Sequence, residues 1–241
     1  MSWSRRWLRR WLRRWLGRLR RGILLAVVAF FAVPIAQVAL LNVINPPLTL
    51  TMLARVQAHW QAEGQLLLPA RAWVPLEQIP DHVVQAAISS EDARFFEHHG
   101  FDWRAIEKAA LSYGSGRQTG GGSSISQQTA KNVFLWQGRS WIRKGLEVWY
   151  TFWMERLVSK ARIMEVYLNV AETGPMTFGV QAGAQRWFDT PVQALNKGQS
   201  ATLICLFPSP ERWTPNDKHV AQRAGRIVRN PSPLVDDWRR K

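Results

Sequence analysis

Two carboxylates and three cations between residues 91 and 147 carry the chemical potential of this chain. Glu91 and Asp92 close an apolar run and are followed by Phe95, Phe96 and His98. A carboxylate set beside aromatic bulk is placed for general acid–base work; on spacing alone the pair reads more readily as a solvated pair on the outer face of a helix. Gln128, Lys131 and Asn132 are three and four residues apart and share one face of any helix that carries them. Arg143 and Lys144 precede Glu147 by four and three residues, which in isolation describes a surface ion pair worth about 0.3–0.5 kcal/mol. The set says more than its members. One carboxylate beside aromatics, a second beside two cations, and a third cation near a loop suited to phosphate describe catalysis at a phosphorylated sugar.

These side chains need helices to hold them. Pro80-Asp81 supplies a start signal, Val83, Val84, Ala87 and Ile88 an apolar face, and Gly100 a stop, so Glu91 and Asp92 fall near the end of a helix. Asp102 is placed to cap the next one, through Trp103, Ile106 and Ala110. Residues 112–122 hold five glycines and almost nothing apolar; burial cannot order them, and a flexible loop is expected. The loop runs into Ser124-Ile125-Ser126-Gln127, a Ser-x-x-Gln capping box, which predicts a helix from there through Val133 carrying Gln128, Lys131 and Asn132. Free N–H groups and the dipole at such a helix start favour phosphate. No G-K-[ST] follows the glycines, so a nucleotide-binding P-loop is not supported. Two further helices are predicted, from Ser140 with Ile142, Leu146, Trp149, Trp153 and Leu157 on one face, and from Ser159 with Ile163, Tyr167 and Val170. The domain reads as mainly α.

The formal charge of +15 is uneven: nine arginines lie in residues 1–22, and 15 minus 9 leaves about +6 for the rest. A remainder so mildly basic fits anionic lipid or a phosphorylated substrate and does not call for nucleic acid. The lone Cys205 excludes an intrachain disulfide and a cysteine zinc site, and the five histidines lack metal-ligand spacing. Residues 23–44 run 22 positions without a charge, enough as a helix at about 1.5 Å per residue to cross a hydrocarbon core of about 30 Å. Gln37, Asn42 and Pro34 interrupt its apolar character, and all are tolerated in spans. The run exceeds the usual apolar stretch of a cleaved signal peptide, so an anchor is expected. With the arginines on its N-terminal side, residues 1–22 belong in the cytoplasm and the chain from about Asn45 on the far side. Three Arg-Arg-Trp-Leu tetrads at 5–16 predict an interfacial amphipathic helix, read either as adhesion to anionic lipid or as an elaborate positive flank. The expected organisation is a basic Arg/Trp segment (1–22), a transmembrane helix (23–44), a linker and juxtamembrane segment (45–75) and the catalytic domain (76–241).

The chemistry-bearing residues also resemble a known family. Glu91-Asp92-Ala-Arg-Phe95-Phe-Glu-His98-His-Gly100 is similar to the E-D-x-x-F-x-x-H-x-G signature of the family 51 glycosyltransferases of peptidoglycan synthesis. Gly122 to Asn132 resembles that family's G-x-S-T-I-T-Q-Q-x-x-K-N, Arg143 to Glu147 its R-K-x-x-E, Ser159 to Asn169 its K-x-x-I-L-E-x-Y-L-N, and Ala201 to Trp213 its closing A-x-L-x-x-x-x-P-x-P. With no S-x-x-K serine block, the chain resembles the monofunctional transglycosylases. The resemblance implies a lysozyme-like glycosyltransferase domain behind a single N-terminal transmembrane helix, in the bacterial inner membrane with the catalytic domain periplasmic. It implies lipid II and the growing glycan strand as substrates, β-1,4 bonds formed with inversion, and release of undecaprenyl pyrophosphate. Carried over by position, Glu91 is the base on the acceptor 4-hydroxyl. Lys131, Arg143 and Lys144 stabilise the departing pyrophosphate, and Ser124, Gln128 and Asn132 line the donor site. Glu147 positions the phosphate cluster or a divalent cation, Mg or Mn, whose requirement the resemblance leaves open. Asp92, Phe95 and His98 support the first motif. Met176 stands in a turn where the family often has glycine. The rival readings are a lytic, lysozyme-like glycan cleaver and a catalytically silent scaffold of the division or elongation proteins. Three cations argue against the first, and intact Glu91 and Glu147 against the second.

Overall fold

Arginine, leucine and tryptophan tolerate helix well, and Gly17 and Gly22 interrupt them only singly, so the N-terminal segment and the apolar run form a single helix, α1 (Trp3–Leu40). The computed structural model describes residues 3–114, 122–138, 140–235 and 237–240, without the side chains of 3–10, 110 and 112–114. The Arg-Arg-Trp-Leu segment is thus continuous with the apolar run and forms the first turns of the same helix. Trp11–Leu40 is long and apolar enough to cross a membrane.

The two polar residues of that apolar run have structural uses at its C-terminal end. Gln37 Oε1 accepts from Tyr150 Oη at 2.5 Å, and Asn42 Nδ2 donates to the Leu157 carbonyl at 2.9 Å. Arg162 Nε adds a bond to the Leu41 carbonyl at 2.7 Å, while Phe30 and Phe31 pack on Trp149 at 5.4 and 5.1 Å between ring centroids. The helix is therefore fastened along one flank of the domain behind it.

Residues 45–75 carry structure of their own. Thr49 caps α2 (Leu50–Glu63), its hydroxyl accepting from Met52 N at 3.2 Å, and Gly64 ends it at φ 67°. β1 (Ala70–Arg71) pairs parallel with β3 (Thr177–Phe178), which pairs antiparallel with β2 (Glu172–Gly174), giving the order β1-β3-β2. At the exit of β3, Gly179 has φ 83° and a Cβ there would stand 2.8 Å from the Asn169 carbonyl oxygen, so only glycine fits.

The remaining helices are α3 (Asp81–Glu91), α4 (Trp103–Gly114), α5 (Ile125–Phe134), α6 (Trp141–Leu157), α7 (Lys160–Val170), α8 (Val180–Phe188), α9 (Lys197–Cys205) and α10 (Lys218–Arg229). The starts expected from Asp102, Ser124, Ser140 and Ser159 are all present: each side chain accepts a backbone N–H in the first turn of its helix. Ser124 and Gln127 form the reciprocal capping box. Of the glycine loop expected to be flexible, residues 115–121 lie outside the described residues. α7 is the central helix; Ile163, Met164, Val166, Tyr167 and Leu168 are all fully buried, each aliphatic side chain contributing about 1.5–3 kcal/mol. α3, α9 and α10 close one side of this core and α5 and α6 the other. The result is a mainly helical domain on a helical stalk, as expected.

Candidate active site

α3 ends at Glu91, well before Gly100, because Asp92 leaves helical geometry (φ −160°, ψ 76°) and turns its carboxylate inward. Glu91 stays on the rim. Its Oε1 accepts from Ser90 Oγ at 2.8 Å and from Arg223 Nη2 at 3.0 Å; its Oε2 accepts from Gln128 Nε2 at 3.2 Å. The aromatic surround expected from the sequence is elsewhere: Phe95 is fully buried, edge-on to Phe96 at 5.0 Å and 4.3 Å beneath Lys160 Nζ. The reason is the turn at Asp92, which sends the two phenylalanines to the core while Glu91 faces hydrogen-bond donors.

Asp92 joins two elements. With its side chain 1% exposed, it accepts from His98 Nε2 at 2.9 and 3.0 Å and from the Ile125 backbone N–H at 3.0 Å. That last bond ties the first turn of α5 to the end of α3. Ser124 adds a second tie, donating to the Gly100 carbonyl at 2.5 Å. The register so fixed brings Gln128, on the second turn of α5, to Glu91. Tyr167 Oη donates to Gln128 Oε1 at 3.5 Å, which leaves the amide nitrogen for the carboxylate. Asp92 and His98 are therefore structural supports of the site.

Two clefts meet near this point. One, of about 580 Å³, is lined by Glu91, Asp92, Arg94, Arg104, Lys108 and Ser124. The other, of about 170 Å³, is lined by Gln128, Lys131, Asn132, Arg55, Tyr167 and Glu172. Ser124 thus stands on the Glu91 side, apart from Lys131 and Asn132, with its hydroxyl engaged in the cap. The cations gather on α5 and α6. Glu147 is buried, its two oxygens accepting from Arg143 Nη1 at 3.2 Å and from Lys144 Nζ. The Nε of Arg143 is buried and has no partner among the described residues. Burial lowers the pKa of Lys131; Glu147 raises it, Arg143 and Lys144 lower it further, and Glu91 raises it. Three cations against Glu147 leave the cluster at +2, with an unpaired guanidinium N–H, which suits a diphosphate.

A resident divalent cation does not fit these residues. Glu147 has both oxygens turned to cations, and no three His, Cys, Asp or Glu side chains come together among the described residues.

Sequence reasoning missed Arg223, Arg55 and Glu172. Arg223 Nη2 reaches Ser90 Oγ at 2.8 Å and the Ser90 carbonyl at 3.1 Å besides Glu91. Its one signal was its place on α10, where Val220, Ala224 and Ile227 face the core. Arg55 lies in the segment read as a linker, and Glu172 stands three residues past the motif that ends at Asn169.

Known proteins share the pattern. A family model described as Transglycosylase matches residues 63–231. The chain is 43% identical over 206 residues to the biosynthetic peptidoglycan transglycosylase of Pseudomonas aeruginosa, covering 86% of each chain. It is 44% identical over 213 residues to the protein of that name from Caulobacter vibrioides, covering 87% of this chain and 90% of the relative. It is 41% identical over 220 residues to that of Bdellovibrio bacteriovorus, covering 90% and 87%. On this match and these relatives, with a mainly helical domain behind one apolar helix, the chain belongs to the transglycosylase family.

Proposed function

We propose that the chain is a peptidoglycan glycosyltransferase that polymerises lipid II into β-1,4-linked glycan strands. The observation that carries this reading is Gln128, which donates to Glu91 at 3.2 Å and lines one cleft with Lys131 and Asn132. A base and an anion site are thus neighbours, as transfer from a pyrophosphate-linked sugar requires.

Glu91 takes the proton from the acceptor 4-hydroxyl as that oxygen attacks the anomeric carbon of the donor. The bond from that carbon to the phosphate oxygen breaks, its electron pair leaving with undecaprenyl pyrophosphate, and the α-linked donor inverts to a β bond. Lys131, Arg143 and Lys144 balance the charge that grows on the leaving group; the unpaired Arg143 Nε supports a contact there. Gln128 and Asn132 line the donor side, and Ser124 holds the start of α5. Glu147 keeps Arg143 and Lys144 in place. Asp92, Phe95 and His98 act through the fold.

The arginine-rich start of α1 keeps residues 1–22 cytoplasmic, and the domain stands on the periplasmic face of the inner membrane. There α1, packed along α6, holds the site near its lipid-linked substrate. Cell-wall synthesis or division proteins are the partners such a placement suits.

The test is purified full-length protein with lipid II, wild type beside Glu91→Gln. Wild type should yield glycan strands and the variant should lose at least about a hundredfold in rate. A wild type that yields none, or a variant that keeps pace, overturns the mechanism; cleavage of preformed glycan would favour the lytic reading.

A further inference from the structure

Glu172 opens β2, just past α7, on the wall of the cleft that also holds Gln128, Lys131 and Asn132. Its side chain is 8% exposed. Arg55, reaching across from α2, binds only one of its oxygens: Nε at 3.0 Å and Nη2 at 2.8 Å both donate to Oε2. The third nitrogen, Nη1, turns outward to Glu211 at 2.8 Å. Glu172 Oε1 is buried and has no hydrogen-bond partner among the described residues.

A guanidinium that served only to pin α2 to β2 would match its fork to both carboxylate oxygens, the arrangement that satisfies each. Here one oxygen takes two donors and the other takes none. A buried acceptor without a donor is unfavourable and calls for an explanation in a folded protein. Burial raises the Glu172 pKa even though Arg55 opposes it, as expected of a carboxylate short of donors.

The cleft is lined by both signs of charge: Lys131 is cationic, and Glu172 is an anion paired with Arg55. A substrate with phosphates toward Lys131 and neutral hydroxyls and amides toward Glu172 suits that lining, and the reverse orientation sets phosphate against carboxylate. α2 takes part in the same wall: Thr51 Oγ1 donates to the Asn132 carbonyl at 3.2 Å and accepts from Gln137 Nε2 at 2.7 Å.

We propose that Glu172, held by Arg55, is a saccharide-binding residue whose Oε1 accepts an O–H or N–H from the N-acetylated sugar lodged beside Lys131. This rests on the lipid II reading and names the contact that orients the sugar. It also makes α2 a part of substrate recognition.

The test compares full-length wild type with Glu172→Ala and Glu172→Gln on lipid II, each melted to verify folding. Glu172→Ala should raise KM about tenfold with kcat within about threefold of wild type, and Glu172→Gln should fall between. A strut without substrate contact would lower the melting temperature and leave KM alone, and KM within twofold of wild type overturns the proposal. Direct binding of lipid II to Glu91→Gln, with and without Glu172→Gln, repeats the comparison without turnover. Equal affinities overturn the contact. Turnover by the wild type tests the function separately, so failure of one reading is distinguishable from failure of the other.

Discussion

Arg223 donates to Glu91 Oε1 at 3.0 Å, linking two residues 132 positions apart and fastening α10 to the end of α3. The same nitrogen holds Ser90 through its hydroxyl and its carbonyl, so the guanidinium fixes the backbone turn as well as the carboxylate. Lysine would keep the charge and lose the planar geometry that serves these acceptors. Arg223→Lys is therefore expected to lower kcat on lipid II roughly 10- to 100-fold, the size of effect that misplacing a reacting group produces. The side chain is 30% exposed and lies off the buried face of α10, so the melting temperature should move by only a few degrees. Polymerisation at the wild-type rate would remove Arg223 from the site.

Lys131 gives the reaction a pH signature. Burial lowers its pKa, with Glu147 and Glu91 opposing and Arg143 and Lys144 reinforcing the shift. The ammonium thus loses its proton at a lower pH than an exposed lysine does. If its charge balances the leaving group, kcat/KM should begin to fall on the alkaline side below the usual lysine range. Arginine stays charged there, so Lys131→Arg should keep measurable activity and move that limb to higher pH, while Lys131→Ala should lose roughly 100- to 1000-fold at all pH values. Profiles of wild type and Lys131→Arg that superimpose would show that another group sets the limb.

The elements that hold the site were legible because their signals are local. A capping residue acts on the next three positions, and Asp102, Ser124, Ser140 and Ser159 each start the helix their position predicts. Gln128, Lys131 and Asn132 were placed on one face by helical spacing alone, and they line one cleft. The misses are long-range. Nothing near Glu91 in sequence announces Arg223, and the aromatic residues next to it in sequence turn away at Asp92. Gln37 and Asn42 looked like blemishes in an apolar run, and only the packing of α1 on α6 shows them as hydrogen-bonding partners of the domain.

Asp92 should act mainly through stability. Its buried carboxylate accepts from His98 and from the Ile125 N–H, and an amide would set a donor against one of those donors. Asp92→Asn is expected to destabilise the fold by about 1–3 kcal/mol. That lowers the melting temperature by roughly 2–12 °C in a domain of this size. Turnover should fall as well, because α5 carries Gln128 and Lys131 and begins at that bond. Calorimetry beside a polymerisation assay separates the two effects, and an unchanged melting temperature would contradict the supporting role.

Met176 tests the backbone that carries Glu172. It sits between β2 and β3 at φ 53°, a left-handed conformation that strains a side chain by about 1–2 kcal/mol, and its carbonyl accepts the Ala70 N–H at 2.8 Å where β1 begins. The side chain is only partly buried, so little packing is lost without it. Glycine relieves the strain and gives back part of the gain through the greater freedom of the unfolded chain. Met176→Gly should therefore raise stability by up to about 1 kcal/mol and leave KM for lipid II unchanged, since the turn conformation that presents Glu172 is the one glycine already favours. A destabilised Met176→Gly would mean that the methionine side chain holds this turn through contacts stronger than its strain.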